Sequence, residues 1–172
     1  DGYHGVVIFD EHDPLCFTAE QVASYLDTAM AWAREANRWD PEAKYFFFMW
    51  NCLWKSGASI IHGHGQMALS RDLHYAKVEG LRKAACSYQE RYGASYFHDL
   101  VQAHADLGLA WQWGSTRCLA YLTPIRDNEI VLISRSLDGD LKRSIHRVLR
   151  CLIERINVRC FNLALYMPPL AP

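Results

Sequence analysis

Hydrophobic and polar positions in the first third of the chain predict a short buried strand, a long amphipathic helix and a second buried strand. The run GVVIF at 5–9 is β-branched and aromatic, which is typical of a buried strand. Thr18 and Gln21 form a capping box, so a helix is predicted to begin there and to end before Asp40. Its apolar residues recur at helical spacing: Val22, Leu26, Ala29, Met30 and Ala33. The run KYFFFMWN at 44–51 is apolar on both faces and predicts a strand inside a sheet.

The same order of strand, helix and strand recurs later in the chain. The pattern predicts a strand at 60–69, helices at 72–92 and 95–107, a hairpin of strands at 118–125 and 129–134, a helix at about 141–156 and a strand at 160–167. We therefore predict an α+β protein of two similar halves, each an antiparallel sheet with helices packed on it. The expected halves are residues 1–110 and residues 111–172. Both ends look cut, since the chain has no initiator Met and stops soon after an apolar run.

Composition limits the classes of protein that fit. At 172 residues and 51% hydrophobic, the chain can form one large domain or two small ones. Lys and Arg number 18 against 19 Asp and Glu, so the formal charge of -1 favours neither a nucleic-acid surface nor a polybasic membrane anchor. No apolar run approaches the ~18 residues of a membrane span. The 6 cysteines are scattered without a CxxC pair, which favours reduced thiols and a cytoplasmic location.

The stretch SGASIIHGHGQ at 56–66 concentrates the candidate chemistry. If 60–67 is a strand, His62, His64 and Gln66 share one face, and the glycines between them lie on the other. Glycines inside a strand cost backbone entropy and packing. We therefore expect them to allow the close approach of another backbone or of a ligand.

Three interpretations fit these residues. The polar side chains could line a wet strand face, or His62 and His64 could both bind a metal, although zinc needs four ligands and Gln66 is a poor one. A nucleophilic site explains more of the residues, because a neutral imidazole at His64 can attack phosphorus and form a covalent intermediate.

The residues around His64 favour phosphoryl chemistry of the transfer type. The Gln66 amide can hold a phosphoryl oxygen, but it cannot protonate a leaving group, which favours transfer over hydrolysis. The Ser59 hydroxyl and the backbone amides of Gly57, Ala58 and Ser59 are candidates for binding the remaining phosphate oxygens.

This stretch, with Asn51 at the same distance before it, resembles the galactose-1-phosphate uridylyltransferase branch of the histidine-triad superfamily, whose active-site pattern is His-x-His-x-Gln. The Gly-Ala-Ser lead-in and the trailing Gln-Met-Ala-Leu are also similar to the related nucleoside-diphosphate-sugar phosphorylases. The resemblance implies that both halves are histidine-triad-like. It also implies that a nucleotide sugar and a sugar 1-phosphate are the substrates and that the protein is a homodimer.

The resemblance also implies a role for each matching residue. His64 matches the nucleophile that forms the nucleotidyl-imidazole intermediate, Gln66 the residue that hydrogen-bonds the phosphoryl group, and Ser59 and Asn51 phosphate contacts. His62 matches a ligand of a structural zinc in zinc-containing members, and His12 falls where another ligand is found. Two cysteines complete that zinc site from a stretch that would precede residue 1. Tyr166 stands where some members place a ligand of a second metal, so that metal site looks lost.

Alternatives within the same machinery remain open at this point. Phosphorolysis or hydrolysis of an ADP-sugar or a dinucleoside polyphosphate would use the same nucleophile with another acceptor. A non-catalytic nucleotide- or metal-binding protein would share only the fold. Of the other histidines, His74 and His104 lie in polar segments and are expected to face solvent, while His98 and His146 lack partners at ligand spacing.

Overall fold

The computed structural model describes residues 2–170 and confirms an α+β fold with two antiparallel sheets. The elements are β1 (Gly2–Ile8), α1 (Ala19–Trp39), β2 (Tyr45–Cys52), a 3-10 turn at Trp54–Ser56, β3 (His64–Ser70), α2 (Ala76–Tyr92), α3 (Tyr96–Asp106), β4 (Ala110–Trp113), β5 (Thr116–Ala120), β6 (Ile130–Ile133), α4 (Gly139–Arg155) and β7 (Phe161–Tyr166). The chain divides into two compact units. Unit 1 comprises Asp1–Glu79 and Asn157–Pro172, and unit 2 comprises Gly80–Ile156.

Unit 1 is a four-stranded sheet with α1 packed on one face. The strand order is β1-β3-β2-β7, and every pair is antiparallel. Helix α1 begins at the predicted capping box, because the Thr18 side chain accepts from the Gln21 amide and the Gln21 side chain accepts from the Thr18 amide. The helix and the sheet bury an aromatic core, whose members include Leu26, Met30, Phe46, Phe48, Trp50 and Leu69.

The register of this sheet determines which residues share its other face. His64 pairs with Ile8, and Gln66 pairs with Val6 on one side and Met49 on the other. Directly opposed residues of antiparallel strands lie on the same face. The face that carries His64 and Gln66 is therefore the one away from the aromatic core, and its Val6 and Ile8 are 50% and 69% exposed.

Unit 2 is a three-stranded antiparallel sheet in the order β4-β5-β6, on which α3 and α4 pack. Helix α4 buries one stripe, as its spacing predicts: Leu141, Ser144, Ile145, Leu149 and Ile153. Asp138 caps its N-terminus by accepting from the Leu141 amide at 2.9 Å. Asp138 also accepts from the Ser115 hydroxyl, which links the β4–β5 turn to the start of α4.

The division into units differs from the halves predicted at residues 1–110 and 111–172, whose outermost positions 1, 171 and 172 lie outside the described residues. Strand β7, expected in the second half, pairs with β2 in the sheet of unit 1. Helix α3 and β4 begin before residue 111 but belong to unit 2. Strand pairing is non-local, so order along the chain did not reveal it.

Two histidines expected to face solvent are buried. His104 is 1% exposed: its Nδ1 donates to the Leu100 carbonyl at 2.7 Å, and its Nε2 accepts from the Leu122 amide at 3.1 Å. His74 is 9% exposed and donates from Nε2 to the Met167 carbonyl at 2.7 Å. The expectation was wrong because each ring has a backbone partner that is distant in sequence, Leu122 for His104 and Met167 for His74. Within residues 2–170, every helix is too short or too polar to traverse a bilayer.

Candidate active site

His64 is the buried centre of the candidate site, at the first position of β3. It is 8% exposed, and its Nδ1 lies 2.9 Å from the His62 carbonyl oxygen. A carbonyl oxygen only accepts hydrogen bonds, so Nδ1 carries the proton. In the neutral ring the lone pair is then on Nε2. The local backbone thus selects the tautomer whose Nε2 can act as a nucleophile.

His62 and His12 come together, as the resemblance implied. Nε2 of His62 donates to the Phe9 carbonyl at 2.7 Å, so its Nδ1 is the unprotonated nitrogen of the neutral ring. This Nδ1 lies 2.9 Å from Nδ1 of His12. His62 lies in the loop before β3 rather than on the predicted strand, which begins only at His64. His62 and His64 therefore do not share a strand face.

The geometry at His62 matches part of what a zinc ligand needs. A metal-binding histidine usually donates its second ring N–H to a carbonyl or carboxylate, as His62 does to Phe9. A structural zinc takes four ligands, however, and residues 2–170 contain no cluster of three or more histidines, cysteines or acidic residues able to hold a metal. The described residues alone do not fit a closed zinc site.

The turn after β2 forms the loop expected to bind phosphate. Gly57 ends the 3-10 turn with φ of 94°, a left-handed conformation that favours glycine. Its amide donates to the Trp54 carbonyl at 3.0 Å, and the Ala58 amide donates to the Leu53 carbonyl at 3.2 Å. Both amides are thus occupied within the turn. The expectation that they bind phosphate oxygens stays a prediction.

Asn51, Ser59 and Gln66 stand in different relations to His64. Gln66 follows His64 by two positions on β3, so the two side chains project from the same face about 7 Å apart along the strand. Ser59 is exposed in the loop before β3, and no hydrogen bond within residues 2–170 joins its hydroxyl to His64. Asn51 lies near the end of β2, where a Cβ added to Gly57 would be 4.0 Å from its Nδ2.

Sequence reasoning missed Asn162, which contacts Asn51 from β7. The two residues are directly opposed across the β2–β7 pair. Nδ2 of Asn162 donates to Oδ1 of Asn51 at 2.6 Å and to the carbonyl of Ser56 at 2.7 Å. The only signal in the sequence was a polar residue interrupting the apolar run CFNLALYM.

The two glycines of HGHGQ, Gly63 and Gly65, contact the core and not the candidate site. A Cβ at Gly63 would lie 2.6 Å from Phe9 Cδ2, and one at Gly65 would lie 2.6 Å from Phe48 Cζ and 3.1 Å from Val7 Cγ1. These contacts are on the aromatic side of the sheet, opposite His64. Our expectation that the glycines admit a ligand is therefore not supported, because bulky aromatic rings occupy the space where their side chains would be.

Burial keeps two titratable side chains of the unit 1 core, Cys52 and Tyr25, in their neutral forms. Burial raises the pKa of the Cys52 thiol to about 12, with smaller contributions from Cys160 and Asp13. Burial also raises the pKa of Tyr25, and the nearby Asp10 and Glu11 add to the shift. Tyr25 stacks on Phe9 with ring centroids 3.7 Å apart. The carbonyl that orients His62 thus belongs to a residue fixed in a neutral, aromatic core.

The fold is similar to that of solved uridylyltransferase-like structures. The solved structure of a uridylyltransferase matches with a TM-score of 0.83 and 18% identity over 99% of this chain. A GalT-like protein from Arabidopsis thaliana matches with a TM-score of 0.78 and 18% identity, and an ADP-glucose phosphorylase from Arabidopsis thaliana with bound ADP-glucose matches with 0.73 and 17%. Each of these two matches covers 98% of this chain.

The present chain spans only part of these structures. It covers 60% of the uridylyltransferase chain, 59% of the GalT-like chain and 56% of the phosphorylase chain. No family model and no curated protein matches the sequence. The likeness confirms the fold expected from the HGHGQ stretch, while the chemistry must be argued from the residues themselves.

Proposed function

We propose that this protein is a nucleotidyltransferase that moves a nucleoside monophosphate between a nucleotide sugar and a sugar 1-phosphate through a covalent intermediate on His64. The observation that supports this best is the hydrogen bond from His64 Nδ1 to the His62 carbonyl. This hydrogen bond leaves the Nε2 lone pair free to attack. It also stabilises the positive charge that develops on the imidazole ring during the attack. The fold shared with a uridylyltransferase is consistent with it.

In the first step, Nε2 of His64 attacks the α-phosphorus of the nucleotide sugar. A P–N bond forms, and the bond from the α-phosphorus to the bridging oxygen breaks, so a sugar phosphate leaves with the electron pair. A phosphate monoester has a second pKa near ~6, so it leaves as an anion and needs no proton from the protein. This suits Gln66, whose amide can hold a phosphoryl oxygen without titrating.

In the second step, a phosphate oxygen of the acceptor sugar 1-phosphate attacks the same phosphorus. The P–N bond breaks, the electron pair returns to Nε2 of His64, and a new nucleotide sugar is released. Asn51 and Ser59 are assigned to the phosphate oxygens. We further propose that the protein is a homodimer and that His12 and His62 would supply two of the four ligands of a structural zinc.

Label transfer from a nucleotide sugar tests the intermediate. Incubation with UDP-glucose or ADP-glucose carrying 32P at the α-phosphate should leave acid-labile label on the wild-type protein. The His64→Gly variant should take up no label, because the nucleophile is gone. His98→Gly, an exposed histidine of unit 2, is the matched control and should label like wild type. The mechanism would be refuted if His64→Gly took up stable label, or if the wild-type protein took up no label from either donor.

The acceptor distinguishes transfer from phosphorolysis. The structural match to an ADP-glucose phosphorylase makes inorganic phosphate the second candidate acceptor. Labelled protein should be discharged by sugar 1-phosphate if transfer is correct, by inorganic phosphate if the protein is a phosphorylase, and by water alone if it is a hydrolase. Nucleotide-sugar binding without any labelling would indicate a non-catalytic binding protein.

A further inference from the structure

The Asn51–Asn162 pair joins two parts of the candidate site that are separate in sequence. Asn51 lies near the end of β2, and Ser56 ends the turn that follows. Asn162 contacts both, since its Nδ2 donates to Oδ1 of Asn51 and to the carbonyl of Ser56. An amide nitrogen has two protons, so one side chain satisfies both acceptors.

This arrangement determines which end of the Asn51 amide faces the loop. The oxygen and nitrogen of an amide have nearly the same shape but opposite polarity. With Oδ1 held by Asn162, Nδ2 points toward Gly57. A flipped Asn51 would present an oxygen there instead and would repel a phosphate oxygen.

We propose that Asn162 is a positioning residue for nucleotidyl transfer: it holds the Asn51 amide so that Nδ2 donates to the phosphate. This inference rests on the proposed function. Asn162 is exposed, so its hydrogen bonds contribute little to the free energy of unfolding, and their main effect is on the orientation of Asn51. Asn162 itself need not touch the substrate.

Two substitutions test the effect on phosphate binding. Asn162→Ala removes the donor, and Asn162→Asp places a carboxylate against Oδ1 of Asn51 and the Ser56 carbonyl. We expect single-turnover labelling of His64 by the nucleotide sugar to slow by about tenfold or more, because one hydrogen bond to a charged phosphate is lost. Asn162→Asp should be the slower variant. Labelling at the wild-type rate in both would overturn the proposal.

Asn37 provides the matched control. Its Nδ2 also donates to two carbonyl oxygens, those of Pro41 at 3.3 Å and Ala43 at 2.9 Å, but Asn37 lies in the last turn of α1 and not in the turn that follows β2. Asn37→Ala should therefore keep the wild-type labelling rate at equal folded fraction. A loss as large as that of Asn162→Ala would show that the effect is general destabilisation and would overturn the proposal.

A double-mutant cycle tests whether Asn162 acts through Asn51. If it does, Asn51→Ala combined with Asn162→Ala should label no more slowly than Asn51→Ala alone, because the group being positioned is already absent. Fully additive losses would mean that Asn162 acts independently, against the proposal.

A measurement of orientation separates this inference from the proposed function. In the wild-type protein, the side-chain amide protons of Asn51 should show a nuclear Overhauser effect to the α-protons of Gly57, and Asn162→Ala should lose it. Persistence of the effect in Asn162→Ala overturns the inference even if labelling is observed. If the wild type takes no label but the effect is lost in the variant, the proposed function is wrong while the positioning of Asn51 by Asn162 is upheld.

Discussion

Replacing Gly65 by alanine tests whether the glycine of HGHGQ serves the core or a ligand. The new Cβ would lie 2.6 Å from Phe48 Cζ, whereas carbon atoms in ordinary contact are about 3.5–4.0 Å apart. The ring must therefore retreat by roughly 1 Å. Phe48 is 1% exposed, and protein interiors are close-packed, so this movement displaces neighbouring side chains.

The expected cost follows from this overpacking. Inserting a methyl group into a packed core costs typically about 1–3 kcal/mol. Alanine in a strand recovers about 0.5–1 kcal/mol of backbone entropy relative to glycine. Gly65→Ala should therefore lower the free energy of unfolding by up to roughly 2.5 kcal/mol. Urea unfolding followed by circular dichroism measures this, and hydrogen exchange of β2 and β3 peptides locates it in unit 1.

Two further variants make the reasoning specific. Phe48→Leu should reduce the penalty of Gly65→Ala, so the two changes together should cost less than their sum. Gly80→Ala is the control, because nothing lies within 4 Å of its added Cβ and it occupies an exposed helical position. Gly80→Ala should stabilise the protein slightly. If Gly65→Ala left unfolding unchanged but weakened nucleotide-sugar binding, the glycine would serve ligand approach and this reasoning would be refuted.

Two other predictions concern titratable groups. At pH 8, iodoacetamide should alkylate the exposed Cys86 and spare Cys52, whose pKa of about 12 leaves almost no thiolate; rapid modification of Cys52 in the folded protein would contradict this. The pKa of Asp138 is lowered in the folded protein, mainly by the hydrogen bond from the Leu141 amide and then by the one from Ser115. The ionised Asp138 therefore stabilises the protein above the pKa that this residue has in the unfolded chain. This stabilisation is lost as the pH falls through the pKa of Asp138 in the folded protein. Asp138→Asn should therefore make hydrogen exchange in α4 less dependent on acid pH than in wild type, and an unchanged acid transition would count against this assignment.

Local patterns predicted the elements of unit 1 well. The capping box at Thr18 and the 3.6-residue period located α1, and the apolar run located β2 to within one residue at each end. The strand β4 was not predicted, because the four residues AWQW are too few to show a period. Strand β3 begins at His64, four residues later than predicted, since alternation alone cannot show where pairing with β1 stops.

At the candidate site, the motif indicated which residues are candidates but not their geometry. The structure adds that His12 contacts His62 and that Nδ1 of His64 donates to the His62 carbonyl. The motif could not show that the Gly57 amide is used within its own turn, because that depends on the 3-10 geometry. Nor could it reveal Asn162, since cross-strand partners are set by tertiary pairing and not by neighbours in the chain.

The pairing of β7 with β2 also determines when the candidate site can form during synthesis. Asn51 and Asn162 are 111 positions apart in the chain. At a translation rate of about 5–20 residues per second, the ribosome adds Asn162 roughly 6–20 s after Asn51. In that interval all of unit 2 is synthesised, while the edge of β2 that will receive β7 stays unpaired. The nascent protein thus carries His64 long before Asn162 can pair with Asn51, and during that time the unpaired β2 edge is open to wrong strand partners.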